Sequence, residues 1–537
     1  MSSVVQESQQ SSEAGPSSIV HSPKRSKKSA PRSRKGCLVC RARRIRCDEE
    51  HPECARCVKY GAECVYPAKR PFDKEKIDER LKKRHGGATA HPSTPSDPSP
   101  STVQKLFDDA PTSVDALLAM CRATRMGSFF ANTSGPPPDY LKAAYADEDE
   151  VMCLHHCLSY SLSILVIRED NNPWIKHVMP MFLAPNGTAP TSTEALRYAM
   201  LAIGATHLSY LHSRVRTEIE DLHHRVLSQT YRAKSFRLLR SAKSSTETAS
   251  DAYLAAALAL CVNDIFAAET TWREAWAFAV RGIQHRGGCE QILFGRGDPS
   301  ELQRLLVETA CLTDLSVTLS SGEPPRILTA QSGWWERLGK TGPESESFEM
   351  TKGIQRRIFR LAIETARLVA ERISLDRLDS EPFLRKKHEA DLLQLEADLD
   401  LWQEEYPTFQ MDGRTQTGSL AYWNASNILV QRELRGVSDD RVDGSVTAIL
   451  DLCVETGDKI EYMNWPLVIA SVRLEDNALR DKSRAIMAMF AYQCCEEIKR
   501  IAEIVEELWR RIDEGREVDF CGWMLAMVEM GRPVLLG

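Results

Sequence analysis

Six cysteines fall within 28 residues near the front of the chain, and they constrain it more than any other feature. Cys37, Cys40 and Cys47 follow the spacing C-x2-C-x6-C, and Cys54, Cys57 and Cys64 repeat it with identical intervals. A duplicated ligand set implies two equivalent metal sites. Two thiolates separated by two residues can turn onto one ion at about 2.3 Å, and a third arrives after a short helix of about one and a half turns. Each half then supplies three sulfurs where a closed structural zinc takes four. If one sulfur from each half bridges both ions, six thiolates complete two tetrahedra. The expected cofactors are therefore two zinc ions.

Other uses of the cysteines fit less well. A single zinc on Cys37, Cys40, Cys54 and Cys57 would leave Cys47 and Cys64 as unexplained copies at matching offsets. An iron–sulfur cluster could use thiolates but leaves the same pair over. A disulfide framework belongs to secreted chains, and the first 20 residues, rich in Ser, Gln and Glu, lack the apolar core of a secretory signal. The expectation is a reducing compartment, with the 16 cysteines serving as metal ligands or small buried hydrophobes.

Charge along the chain points to the partner. The net charge of −6 conceals a separation: residues 1–86 hold 21 Lys and Arg against 11 Asp and Glu, a net +10 that leaves −16 on the remainder. This is the pattern of an arm for polyanions on an acidic body. Arg41, Arg43, Arg44 and Arg46 lie on the short helix expected after the first cysteine pair, and no acid occurs between Pro23 and Cys47. Arg matches the O6 and N7 acceptors of guanine in the major groove, worth ~1–3 kcal/mol of discrimination per good bidentate pair. Zinc would fix the helix, and the helix would present the arginines to double-stranded DNA. The competing expectation is a zinc-structured adaptor that binds proteins and never contacts DNA.

Residues 36–66 resemble the fungal six-cysteine binuclear zinc cluster regulators, a family of DNA-binding transcription factors. The match includes Arg41 after the second cysteine, the basic run to Arg46, Asp48 after the third cysteine and Pro52 in the loop between the halves. The resemblance implies that Cys37 and Cys54 are the bridging ligands. One zinc would take Cys37, Cys40, Cys47 and Cys54, the other Cys54, Cys57, Cys64 and Cys37. It also implies that Arg43 and Arg44 read bases, with CGG-like half-sites as the expectation. Lys35, Arg41, Arg46, Lys59, Lys69 and Arg70 would contact phosphates and make binding salt-dependent. One departure bears on half-site preference: the family usually carries Lys where Arg44 stands, and Arg is longer and forked.

Around this unit the chain divides by composition. Residues 1–35 are poor in large apolar side chains and end in a basic cluster, Lys24 to Lys35, read as a disordered arm for nuclear import and phosphate contact. Residues 67–101 form a linker. Phe72, Ile77 and Leu81 could anchor a short dimerisation helix, fewer than the three or four heptads of a stable coiled coil. Pro92, Pro95, Pro98 and Pro100 resist packing. Residues 102–147 are expected to be a loosely structured connector. No membrane span is expected, because the longest apolar run, Ala252–Val262, stops after 11 residues where a span needs roughly 20.

Residues 148–537 carry helical periodicity, so the predicted fold class is a small binuclear zinc cluster module with two short helices, followed by a large all-α regulatory domain. Ile354, Ile358, Leu361, Leu368 and Ile373 share a face opposite Arg356, Arg360 and Arg367; Leu392, Leu395, Leu399 and Trp402 repeat the pattern before Pro407. Cys494, Ile498, Ile501, Val505, Leu508 and Ile512 form a third such face. This region looks like the fungal-specific transcription factor domain. The carrying pieces are Asn172-Pro173-Trp174, a helix over Ala195–Leu211, another over Trp272–Gly288, Asp314 with Gly322–Pro325, and Trp465-Pro466-Leu467. That resemblance implies a body that dimerises, meets co-regulators or the transcription machinery, and takes a small-molecule inducer among its helices.

Several other motifs fit packing or connection better than chemistry. Cys153-Leu-His-His-Cys157 sits in an apolar run and is expected to be core. His223 and His224 are expected at the surface or as caps. Gly339-Lys340-Thr341 lacks the glycine spacing and leading strand of a phosphate loop and is expected in a connection between helices. No nucleophile elbow, paired-histidine zinc helix or dinucleotide fingerprint occurs, so no catalytic residues are expected and the chain is not read as an enzyme.

Overall fold

The computed structural model describes Cys40, Cys47, Asp48, residues 54–59 and Cys64 near the front. It also describes residues 137–537 apart from 138, 169–171, 184–188, 216–217, 243, 330–331, 341–346, 378–381, 458, 494–495, 517 and 519–520. The chain divides into two compact units, Met1–Asp97 and Pro98–Gly537. In the smaller unit, α1 (Ala55–Lys59) is a short helix that starts directly after Cys54.

In the larger unit every regular element among the described residues is helical. We number its helices of eight residues or more: α2 (Glu148–Ser159), α3 (Thr191–Arg214), α4 (Glu218–Ser241), α5 (Asp251–Phe266), α6 (Trp272–His285), α7 (Glu301–Ser321), α8 (Arg356–Arg377) and α9 (Pro382–Glu405). There follow α10 (Gly413–Ile428), α11 (Asp443–Glu455), α12 (Asn464–Ser471), α13 (Asn477–Gln493), α14 (Glu496–Asp513) and α15 (Gly522–Glu529). A shorter helix, Asp139–Ala144, precedes them; Leu141 and Tyr145 are buried in the core, so the packed body reaches back at least that far.

The helices α3 and α4 form a hairpin knit by polar contacts. Ser235 Oγ donates to the Ala195 carbonyl at 2.7 Å, and Ser209 Oγ donates to Asp221 at 2.6 Å. Against them lies α5, apolar from Ala252 to Val262 and accordingly buried on all sides along that run. The Ala252–Val262 run is thus central core, and no helix among the described residues is long and apolar enough to cross a membrane. Where α3 meets α2, a Cβ on Gly204 would lie 2.0 Å from the Cys153 carbonyl oxygen, so only glycine permits that approach. Cys153 and Cys157 are buried at this crossing, as packed thiols.

The start of α7 carries a capping box between Ser300 and Gln303, and Gly322 ends it in the left-handed conformation at φ 69°. From inside α7 the Asp314 carboxylate accepts the amides of Arg326 at 2.8 Å and Ile327 at 2.6 Å, fastening the Gly322–Pro325 turn to the helix. Burial pushes the Asp314 carboxyl up to about 6, against the pull of those amides.

The predicted faces hold for the apolar residues. Ile354, Ile358, Leu361 and Leu368 are buried, as are Leu392, Leu395, Leu399 and Trp402 of α9, which ends at Glu405 before Pro407. On α14, Ile498, Ile501, Val505 and Leu508 are buried; Cys494 lies outside the described residues. The arginines of α8 differ from expectation. Arg356 and Arg367 are buried, because Arg356 meets Glu308 of α7 at 2.5 Å and stacks over Trp335, while Arg367 pairs with Glu364, Glu371 and Asp391. His224 also departs from expectation: it is buried, donates to the Glu220 carbonyl at 2.7 Å and stacks on His212. Gly339 and Lys340 follow the short helix Trp334–Leu338, consistent with a connection between helices.

The last residues are built into the interior. Leu535 is fully buried, the Leu536 amide donates to Ser320 at 2.9 Å, and the Pro533 carbonyl accepts the Trp272 indole N–H at 2.7 Å.

Candidate zinc centre and nucleic-acid interface

The front unit is organised around the Cys54 thiol. Cys40, Cys47, Cys54 and Cys57 are buried against one another and Cys64 packs beside them. The sulfurs of Cys40 and Cys54 stand 3.6 Å apart, and the Cys54 amide donates to the Cys64 sulfur at 3.2 Å. A tetrahedral zinc with bonds of about 2.3 Å needs ligand sulfurs about 3.8 Å apart. The Cys40–Cys54 pair therefore has the separation that one ion requires.

Two groups of ligand atoms, each lying within 4.8 Å, share Cys54: one joins it to Cys40 and Cys57, the other to Cys47 and Asp48. The Asp48 carboxylate joins the second group, a proximity that its place in the sequence motif does not signal.

Local structure supports the thiolate form. The Cys54 carbonyl accepts the Cys57 amide at 2.9 Å and the Val58 amide at 3.1 Å, which starts α1. The Cys57 amide also points at the Cys54 sulfur, 3.3 Å away. Desolvation raises the Cys54 thiol, but the hydrogen bonds from the Cys57 amide and from the neighbouring thiols of Cys57, Cys40 and Cys47 outweigh it, and the net shift is downward. Metal binding requires deprotonated cysteines, and of these donors the Cys57 amide is the one that remains once every thiol has lost its proton. None of the described cysteines is in a disulfide.

Cys40 is helical, and Lys59 is exposed at the end of α1. Cys37, Lys35, Arg41, Arg43, Arg44, Arg46, Lys69 and Arg70 lie outside the described residues. The structure thus brings together five of the six predicted metal ligands, Cys40, Cys47, Cys54, Cys57 and Cys64.

Comparison with known proteins gives the geometry its context. The fungal Zn(2)-Cys(6) binuclear cluster domain matches residues 35–72, and the fungal specific transcription factor domain matches residues 153–537. The chain belongs to the fungal Zn(2)-Cys(6) transcription factors. Members of this family are DNA-binding regulators, and the cluster binds two zinc ions.

Among curated relatives, an uncharacterised transcriptional regulatory protein of Schizosaccharomyces pombe is 47% identical over 53 residues, 10% of each chain. The transcription factor pgmR of Aspergillus terreus is 38% identical over 71 residues, 13% of this chain and 35% of that protein. The Zn(2)-C6 fungal-type transcription factor afumD of Aspergillus fumigatus is 40% identical over 82 residues, 14% of this chain and 19% of that one. These alignments span well under two thirds of the relatives' lengths. No solved structure matches the chain.

Proposed function

We propose that this chain is a nuclear, sequence-specific regulator of RNA polymerase II transcription that reads CGG-like half-sites in double-stranded DNA. The observation that carries the reading is the gathering of Cys40, Cys47, Cys54 and Cys57, buried against one another with Cys64 beside them. In this reading Cys37 and Cys54 bridge the two zinc ions, with Cys40 and Cys47 completing one tetrahedron and Cys57 and Cys64 the other.

A rigid metal platform makes the arginines useful. Arg43 and Arg44 would contact guanines, while Lys35, Arg41, Arg46, Lys59, Lys69 and Arg70 would contact phosphates. The basic arm of residues 1–35 would serve import, and residues 67–101 would link the module to its body. The acidic body, residues 148–537 in this scheme, would dimerise, meet co-regulators and take a small-molecule inducer, with no catalytic role. Its net negative charge supports a part that does not itself adhere to DNA.

The test is selection of bound sequences from a random DNA pool by the full zinc-loaded chain. Enrichment of CGG triplets is expected, with affinity falling steeply as salt rises. Binding to a partner protein that ignores salt and survives removal of both Arg43 and Arg44, without any enriched DNA, would establish the adaptor instead.

A further inference from the structure

Within the helical body, a cavity of about 90 Å³, open on one side, lies where α5, α7, α10 and α12 converge. Its walls are largely apolar and aromatic, with Trp174, Phe266, Leu312, Leu315 and Trp465 among them. Leu165, Ile265, Ser316 and Tyr462 are partly exposed and mark the side that reaches solvent.

One charged group in this lining stands out. Lys352, the last residue of the short helix Ser347–Lys352, is only 1% exposed. Its ammonium donates to the Tyr462 hydroxyl at 2.7 Å and lies 4.9 Å from the centre of the Tyr462 ring. That hydroxyl in turn donates to the Leu165 carbonyl at 2.6 Å. An ammonium has three donors, and a phenol oxygen satisfies one. No carboxylate among the described residues forms an ion pair with Lys352. Glu308, the acid whose field reaches it, is committed to Arg356 at 2.5 Å. Tyr462 holds its place in the left-handed backbone region, at φ 64°, an arrangement that persists only where the surroundings enforce it.

The acids of the lining do not cancel this charge. Glu497 is fully buried and accepts hydrogen bonds from Asn464 at 3.3 Å and from the Gly537 amide at 2.6 Å. Burial pushes its carboxyl up to about 8, so it is largely protonated near neutrality. The Glu461 carboxylate lies in the field of the Arg414 guanidinium, whereas the acid whose field reaches Lys352 is Glu308. Burial pushes the Lys352 amine down to about 8, which leaves it mostly protonated at neutral pH. A buried cation without a counter-ion is costly, and an acid supplied from outside relieves that cost.

We propose that this cavity binds a small organic acid, an apolar or aromatic body carrying one carboxylate, with the carboxylate on Lys352 and the body against Trp174, Phe266 and Trp465. The inference rests on the reading of the body as the part that takes an inducer, and it names the site and chemical class. A charge-assisted hydrogen bond in a desolvated site is worth about a tenfold to hundredfold change in affinity.

The test uses the full zinc-loaded chain and calorimetry with benzoate and hexanoate, each against its methyl ester. At least one acid is expected to bind about tenfold or more tightly than its ester. Lys352→Met is expected to abolish that preference while leaving the affinity for the ester unchanged. Ser316→Phe, which fills the partly exposed side and leaves Lys352 intact, is expected to weaken acid and ester alike, with melting curves checking that both variants fold. Absence of binding by either acid at concentrations on the order of 1 mM, or an acid preference retained in Lys352→Met, would overturn the proposal. Selection from random DNA by the same samples reads the zinc module separately, so loss of the DNA reading and loss of the cavity site are distinguishable.

Discussion

The Arg232 guanidinium grips the Asp264 carboxylate through two hydrogen bonds, 2.7 and 2.9 Å long, joining α4 to a side chain of α5 that has no solvent exposure. Burial raises the Asp264 carboxyl and Arg232 pulls it back. Breaking one side of such a pair leaves an uncompensated charge in the interior. Arg232→Met is expected to cost about 3–5 kcal/mol in urea unfolding of the body, and Arg232→Met with Asp264→Leu to recover much of that loss.

The proposed ligand assignment, in which Cys54 bridges both ions, predicts the metal content of a variant. Cys54→Ser is expected to lose both zinc ions by elemental analysis. Chelation is expected to melt the front unit while the body keeps its helical circular dichroism, since the two are separate compact units.

Base reading and phosphate contact separate under titration. Arg44→Ala is expected to relax base choice at one half-site position by ~1–3 kcal/mol, measured against a panel of single-base changes. Lys59→Ala, at an exposed position on α1, is expected to weaken all sequences alike and to reduce the slope of log affinity against log salt by about 1.

Glu497 gives a pH dependence whose sign is fixed. Burial raises its folded-state value to about 8, above the ordinary carboxyl. Its protonated form is therefore favoured by folding, and the stability it contributes in acid is lost as pH rises from about 4.5 to about 8. Glu497→Gln removes that slope. Relative to the parent, the variant is expected to gain about 1.4 kcal/mol per pH unit across this window, read by urea unfolding at several pH values.

Much of this architecture was legible in the sequence because it rests on short-range spacing. The repeated interval from Cys37 to Cys64 specifies the metal unit, and the recurrence of Ile358, Leu361 and Leu368 specifies an inward helical face. What escaped depends on partners distant along the chain. Arg356 is buried because Glu308, 48 residues earlier, comes to meet it. His224 is buried because α4 lies back along α3 and brings it onto His212. Lys352 faces a cavity whose walls come from helices spread over the whole body, and its neighbours Thr351 and Gly353 give no local sign of it.

The inward tail has a consequence for synthesis. Leu535 fills the interior and Leu536 is tied to Ser320, 216 residues earlier, so the body lacks a full complement of contacts until residue 536 has left the ribosome. At roughly 5–20 residues per second, the nascent α7 waits on the order of ten seconds or more for its final neighbour. During that interval its partly assembled surface is open to chaperones.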